Sequence, residues 1–72
     1  MFKYILKING MMCSMCEAHI NDVIRKNFDV KKLKSSHKKN MTTFISEKYI
    51  DENDLKSVID STGYVLEGID IA

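Results

Sequence analysis

Cys13 and Cys16, in the run Cys13-Ser14-Met15-Cys16, are the only thiols in the chain, and their spacing by itself points to a chemistry. Two sulfurs three residues apart can close into a redox disulfide or chelate a soft metal ion. Soft thiolates favour Cu(I), Zn(II) or an iron–sulfur cluster, but structural zinc and most clusters take four protein ligands. With two cysteines the fitting ions are those content with two sulfurs. Cu(I) is the first of these and Hg(II) the second, and ligand type alone does not separate them. A thioredoxin-like redox enzyme would need a larger sheet and a proline beside the disulfide, and the chain has no proline. A zinc finger would need a histidine pair about 12 residues further on, and His19 and His37 fit neither required spacing. His19, three residues after Cys16, is rotated towards solvent by that spacing, and His37 reads as a strand-edge residue without a chemical role. Met12 and Met15 flank the thiols but are not assigned as ligands, and Met11 reads as core.

The elements that must hold the pair follow from periodicity. Phe2, Tyr4, Leu6 and Ile8 alternate with Lys3, Ile5 and Lys7, which predicts a strand over 2–8 with one apolar face, ended by Asn9-Gly10. Beyond Cys13 the apolar positions Cys16, Ile20, Val23, Ile24 and Phe28 recur at helical spacing and predict a helix near 14–27. The thiols therefore fall where a strand turns into a helix, one in the loop and one in the first turn. Unpaired backbone N–H groups and the helix dipole stabilise thiolates there. An exposed loop site also lets a thiolate from a second protein enter as a third ligand, so a metal can pass across without being free.

Val30 and Leu33 start a second extended segment whose Lys31, Lys32, Lys34, Ser35, Ser36 and His37 suit an exposed edge strand guarded by lysines. Lys38-Lys39-Asn40 reads as a turn, and Met41-Thr42-Thr43-Phe44-Ile45-Ser46, rich in β-branched and aromatic residues, as the next strand. Asp51 is a good helix N-cap, with Glu52 and Asp54 in the first turn and Ile50 and Leu55 placed as a hydrophobic staple. Leu55, Val58, Ile59 and Thr62 form the inner face of that helix, Gly63 ends it, and Tyr64 to Ile71 is the last strand. The order β-α-β-β-α-β, with right-handed crossovers, puts both helices on one face of a four-stranded antiparallel sheet. That is an α+β ferredoxin-like sandwich forming a single domain over residues 1–72.

Composition narrows the functions available. A 72-residue chain with 44% hydrophobic residues builds one thin core, because a domain of this size buries only about 60% of the surface its unfolded form exposes. An enclosed substrate pocket is therefore not expected, nor is an enzyme. The apolar stretches fall well short of the roughly 18 residues that span a membrane and no apolar leader is visible, so the expectation is a cytoplasmic protein without membrane insertion. Lys and Arg number 11 and Asp and Glu 10, but residues 25–48 carry eight basic and two acidic side chains, net +6, and residues 51–72 one basic and six acidic, net −5. Such a distribution suits oriented docking with a charged protein rather than binding to nucleic acid.

The run Gly10-Met11-Met12-Cys13-Ser14-Met15-Cys16, followed by an amphipathic helix, resembles the heavy-metal-associated domain of bacterial copper chaperones and of the N-terminal modules of copper-transporting P-type ATPases. The resemblance covers essentially the whole chain. It implies the ferredoxin-like fold, metal on Cys13 and Cys16, and Met11 as the buried methionine that pins the loop, with Met12 and Tyr64 supporting the site. Tyr64 would lie beside the metal in the neighbouring loop, just after Gly63. Tyrosine there is similar to stand-alone chaperones, where the ATPase modules more often carry phenylalanine. Zinc- or cadmium-exporting relatives tend to place an acidic residue where Met12 stands, so both positions favour copper. Three positions depart from the family pattern. Glu17 replaces a small or apolar residue, and its charge is expected to raise the thiol pKa values. Ser35 and His37 replace apolar residues, which predicts a short second strand, and Phe28-Asp29-Val30 lacks the usual glycine.

The function so implied is that of a metallochaperone. It would bind one Cu(I) and pass it by thiolate exchange to the metal-binding domain of a copper-transporting P-type ATPase or to a copper-responsive regulator. It would act as a monomer, or as a dimer bridged by a shared Cu(I). The alternatives are a metal-binding module of an Hg(II), Zn(II) or Cd(II) transport system, a thiol redox domain, and a regulatory domain that binds only protein.

Overall fold

In the computed structural model, which describes all 72 residues, the chain forms β1 (Phe2–Asn9), α1 (Ser14–Asn27), β2 (Lys31–Ser36), β3 (Met41–Ser46), α2 (Glu52–Asp60) and β4 (Val65–Ile71). The strands make one sheet in the order β2-β3-β1-β4, with every neighbouring pair antiparallel. This is the ferredoxin-like βαββαβ arrangement expected from the sequence.

Alternation in β1 builds the core. Tyr4, Leu6 and Ile8 point to one side and are fully buried, while Lys3, Lys7 and Asn9 are not. Against them pack Ile20 and Ile24 of α1, Phe44 of β3, and Leu55 and Ile59 of α2, so both helices share the same sheet face. The Tyr4 and Phe44 rings stack at 5.1 Å, in register across the β1–β3 pair. Burying tyrosine requires a partner for its hydroxyl. Tyr4 Oη accepts from the Ile50 N–H at 2.7 Å and donates to the Ile50 carbonyl at 3.3 Å, which ties β1 to the entrance of α2.

Helix α2 starts as its sequence dictates. The Asp51 carboxylate accepts from the Asn53 N–H at 2.8 Å, and Ile50 and Leu55 are both buried, as a staple requires. It ends two residues earlier than the apolar spacing suggested: Thr62 lies in the following turn, where its hydroxyl donates to the Ile59 carbonyl. Gly63 has φ +89°, the left-handed residue that releases the chain. Tyr64 is still in this connection, and β4 begins at Val65 rather than at Tyr64.

Strand β2, expected to be short, is as long as β3 at six residues but irregular. Its register against β3 shifts between Lys31 and Lys34, and Lys32 takes φ +53°, a left-handed value uncommon for lysine. A bulged lysine-rich edge does not accept another strand readily. The opposite edge of the sheet, β4, carries Glu67 and Asp70, so the two charged portions of the chain lie on opposite sides of the sheet.

Candidate metal centre

Three connections meet at one end of the sheet: the β1–α1 loop, the β2–β3 hairpin and the α2–β4 turn. Their proximity is visible in the Ile8 N–H donating to the Asn40 carbonyl at 2.9 Å and in Gly10 lying against Tyr64. Gly10 has φ +102°, and a Cβ there would sit 3.2 Å from Tyr64 Cδ1. Glycine is thus required twice, for the turn and for the ring. Met11 is buried at 3% exposure and anchors the loop in the core, whereas Met12 and Met15 stand out at 81% and 80%.

Cys13 is the N-cap of α1, in extended conformation, and its side chain makes no capping hydrogen bond. Its thiol is exposed, and that of Cys16, one turn on, is half-buried against the core. Both are free, with their sulfurs 3.8 Å apart. Around metal–sulfur bonds of about 2.3 Å, such a separation subtends roughly 110° at the metal. An ion seated without moving the sulfurs is therefore held from one side. A linear S–metal–S unit would need the sulfurs to spread to about 4.6 Å on the same bond length. No cluster of three or more His, Cys, Asp or Glu side chains suited to a metal exists, so the chain offers a two-sulfur chelate with room for ligands from elsewhere.

The pair is chemically asymmetric. The Cys16 thiol is lowered from its ordinary 9.0 to about 7, chiefly by the Tyr64 hydroxyl, which donates to the thiolate, and then by the Met12 backbone N–H. The same contact raises the Tyr64 hydroxyl, because a neighbouring thiolate disfavours a phenolate. The lowered pKa raises the thiolate share of Cys16 at neutral pH. Tyr64 is itself set by its surroundings, with the exposed His19 ring edge-on to it at 6.3 Å. Cys13, Met15, Cys16, His19 and Tyr64 line one shallow, open groove. A separate hollow of about 320 Å³, between Phe28, Ile45, Tyr49 and Ile50, lies at the other end of the sheet and contains neither thiol nor imidazole.

The expected effect of Glu17 on the thiols is corrected. Its carboxylate is engaged by His37, accepting two hydrogen bonds, from the backbone N–H at 2.8 Å and from Nδ1 at 2.6 Å, and it is not among the causes that shift Cys16. Those bonds hold Glu17 below its ordinary carboxyl range, the backbone bond first, and the net shift of Cys16 is downwards. His37, expected to have no role, is the partner that engages Glu17. One turn further along α1, Asn21 Oδ1 accepts from the Ser35 hydroxyl at 2.7 Å, and that hydroxyl lies 2.9 Å from Thr42 Oγ1. Ser35 and His37, two apart on the edge segment, thus meet Asn21 and Glu17, four apart on the helix. The matching intervals were present in the sequence, but nothing local said which polar rows would face each other.

No family model matches the chain, and no curated protein matches it. Solved structures do. A copper binding domain from the P-type ATPase HMA7 superposes with TM-score 0.78 at 20% identity, covering 100% of this chain and 95% of that one. The CopZ metallochaperone gives 0.76 at 19% identity, covering 90% and 98%. The solution structure of the Atx1–Cu(I)–Ccc2a complex gives 0.76 at 25% identity, covering 99% and 94%. Placed beside the geometry of the loop, these superpositions identify the fold of the chain as that of the heavy-metal-associated domain.

Proposed function

We propose that the protein is a metallochaperone that carries one Cu(I) on Cys13 and Cys16 and gives it up by thiolate exchange. The observation that carries this reading is the exposed two-sulfur chelate, 3.8 Å across, with one thiol acidified to about 7 and no third protein ligand of its own. Two thiolates suffice for Cu(I), whereas a structural zinc site would leave half its coordination to solvent. The open side admits a thiolate of the receiving protein before either of the donor's own bonds has to break. The receiver is the metal-binding domain of a copper-transporting P-type ATPase or a copper-responsive regulator. Fold relatives support that class of partner, one being a domain of a P-type ATPase and another found in a complex with Cu(I) and a second protein. The role is carriage without catalysis. No helix is long and apolar enough to cross a membrane.

Competition for Cu(I) against a chromophoric chelator under reducing conditions, with Zn(II) run in parallel on the same protein, tests the proposal. Tight one-to-one Cu(I) binding and weak Zn(II) binding are expected. Cys13→Ser or Cys16→Ser should each abolish tight binding while leaving the fold intact. Stoichiometric Cu(I) retained by the double serine variant, or preference for Zn(II), overturns the assignment.

A further inference from the structure

We propose that Glu17 and His37 form a positioning clasp that holds the first turn of α1, and with it the two thiols, against the β2–β3 hairpin. The inference rests on the metal-binding reading above in assigning a purpose to the turn, though not in assigning the clasp.

The first turn of α1 lacks the usual means of holding its shape. A helix start is normally fixed by a side-chain oxygen at the N-cap. Here the N-cap is Cys13, which makes no such bond. Ser14 and Met15 are exposed, and of the residues from 13 to 16 only Cys16 packs against the core. An unanchored turn frays, and fraying would change the separation of the sulfurs that define the chelate.

Glu17 supplies the missing anchor from the residue next to Cys16. Its Oε2 takes both donors of His37, at 2.8 and 2.6 Å, in a part-buried setting. Two donors from a single residue converging on one carboxylate oxygen fix direction as well as distance, and bonds to an ionised acceptor are the stronger kind. His37 opens the hairpin turn, whose Asn40 carbonyl is in turn bonded to the Ile8 N–H near the end of β1. The clasp thus closes a circuit from the metal-bearing turn through the hairpin to the strand that leads into the metal loop. The neighbouring Asn21–Ser35–Thr42 link acts elsewhere: it joins α1 where buried Ile20 and Ile24 already hold the helix down. Of these two links between α1 and the hairpin side of the sheet, the Glu17–His37 one bears on the turn that carries the thiols. Glu17 is therefore a positioning residue that makes no contact with the ion.

Three variants of the full chain test this, read by backbone amide exchange of residues 16–18 in the reduced, metal-free protein and by Cu(I) competition. Glu17→Ala should speed exchange in the first turn and weaken Cu(I) binding, each by about tenfold, the scale of one charge-assisted hydrogen bond. Glu17→Gln keeps an acceptor oxygen for His37 and should restore most of both. Ser35→Ala, which breaks only the link one turn away, should leave Cu(I) affinity within about twofold, the range expected of a site with no shared partner. Tighter Cu(I) binding in both Glu17 variants would mean that the carboxylate acts only through its charge, and the clasp would be overturned. Loosened amides with unchanged affinity in Glu17→Ala would overturn the bearing of the clasp on the metal. Should the unaltered protein bind no Cu(I), the chaperone reading fails, and amide exchange alone still decides the clasp: loosening in Glu17→Ala supports it, and no change overturns it.

Discussion

Cys16, a thiol whose pKa is lowered towards neutrality, stands beside the exposed Cys13, and the first cause of that lowering is a single hydroxyl. The Tyr64 donor stabilises the Cys16 thiolate and lowers its pKa to about 7. Removing that donor must raise the value. In Tyr64→Phe, the pH at which iodoacetamide reaches half its maximal rate with Cys16 in a Cys13→Ser background is expected to move upwards from about 7 towards 9.0, the thiol's ordinary value. An unmoved profile would assign the acidity to the Met12 amide and the helix end instead. The same shift has a stability sign. Because the folded thiol titrates below the unfolded one, its contribution is complete above about 9.0 and fades as pH falls through about 7. Tyr64→Phe should flatten that part of the stability profile. Cys13 and Cys16 were legible in the sequence from their spacing and their place before a helix, whereas Tyr64 was placed beside them only by the resemblance of the loop. The part played by Glu17 was not legible, because its partner lies 20 residues away and only the tertiary fold brings them together.

At the scale of elements, regular periodicity translated directly into structure, and the differences arose where side chains replaced pattern. The alternation of β1 and the Asp51 cap both appear in the folded chain as expected. The second strand, polar but for Leu33, gave no alternation to read, and its bulge at Lys32 had no sequence signal. Connections are where glycine decides the outcome. Gly10→Ala would put a methyl group 3.2 Å from the Tyr64 ring on a backbone already at φ +102°. About 1–2 kcal/mol of backbone strain plus a displaced ring is expected, read as a lower urea midpoint and a raised Cys16 pKa. Gly63, at φ +89°, provides the contrast, because a methyl group there would meet nothing within 4 Å. Gly63→Ala should carry a backbone cost of similar size with little effect on the thiol. A raised Cys16 pKa in both variants would show that the ring contact at Gly10 is not what matters.

Across the whole molecule, the Tyr4–Ile50 tie and the cysteine pair stand at opposite ends of the sheet. The metal loop follows β1, and the Tyr4–Ile50 hydrogen bonds lie at its start, six residues before Gly10 and so about 20 Å away along an extended strand. Tyr4→Phe leaves the Ile50 N–H buried without its partner, a loss of about 1–3 kcal/mol. Cu(I) affinity should not change, and a weakened affinity would show that the two ends are coupled through the core.

The placement of charge on either side of that core has a mechanical consequence. Lysines crowd the β2 side of the sheet and carboxylates the β4 side, so the separation of charge runs across the strands rather than along them. A charged surface approaching the protein exerts a torque that rolls the molecule about the strand direction. That torque does little to tip one end of the strands forward over the other. Electrostatics can therefore choose which flank a partner meets, while presentation of the thiol-bearing end is left to contacts made at closer range.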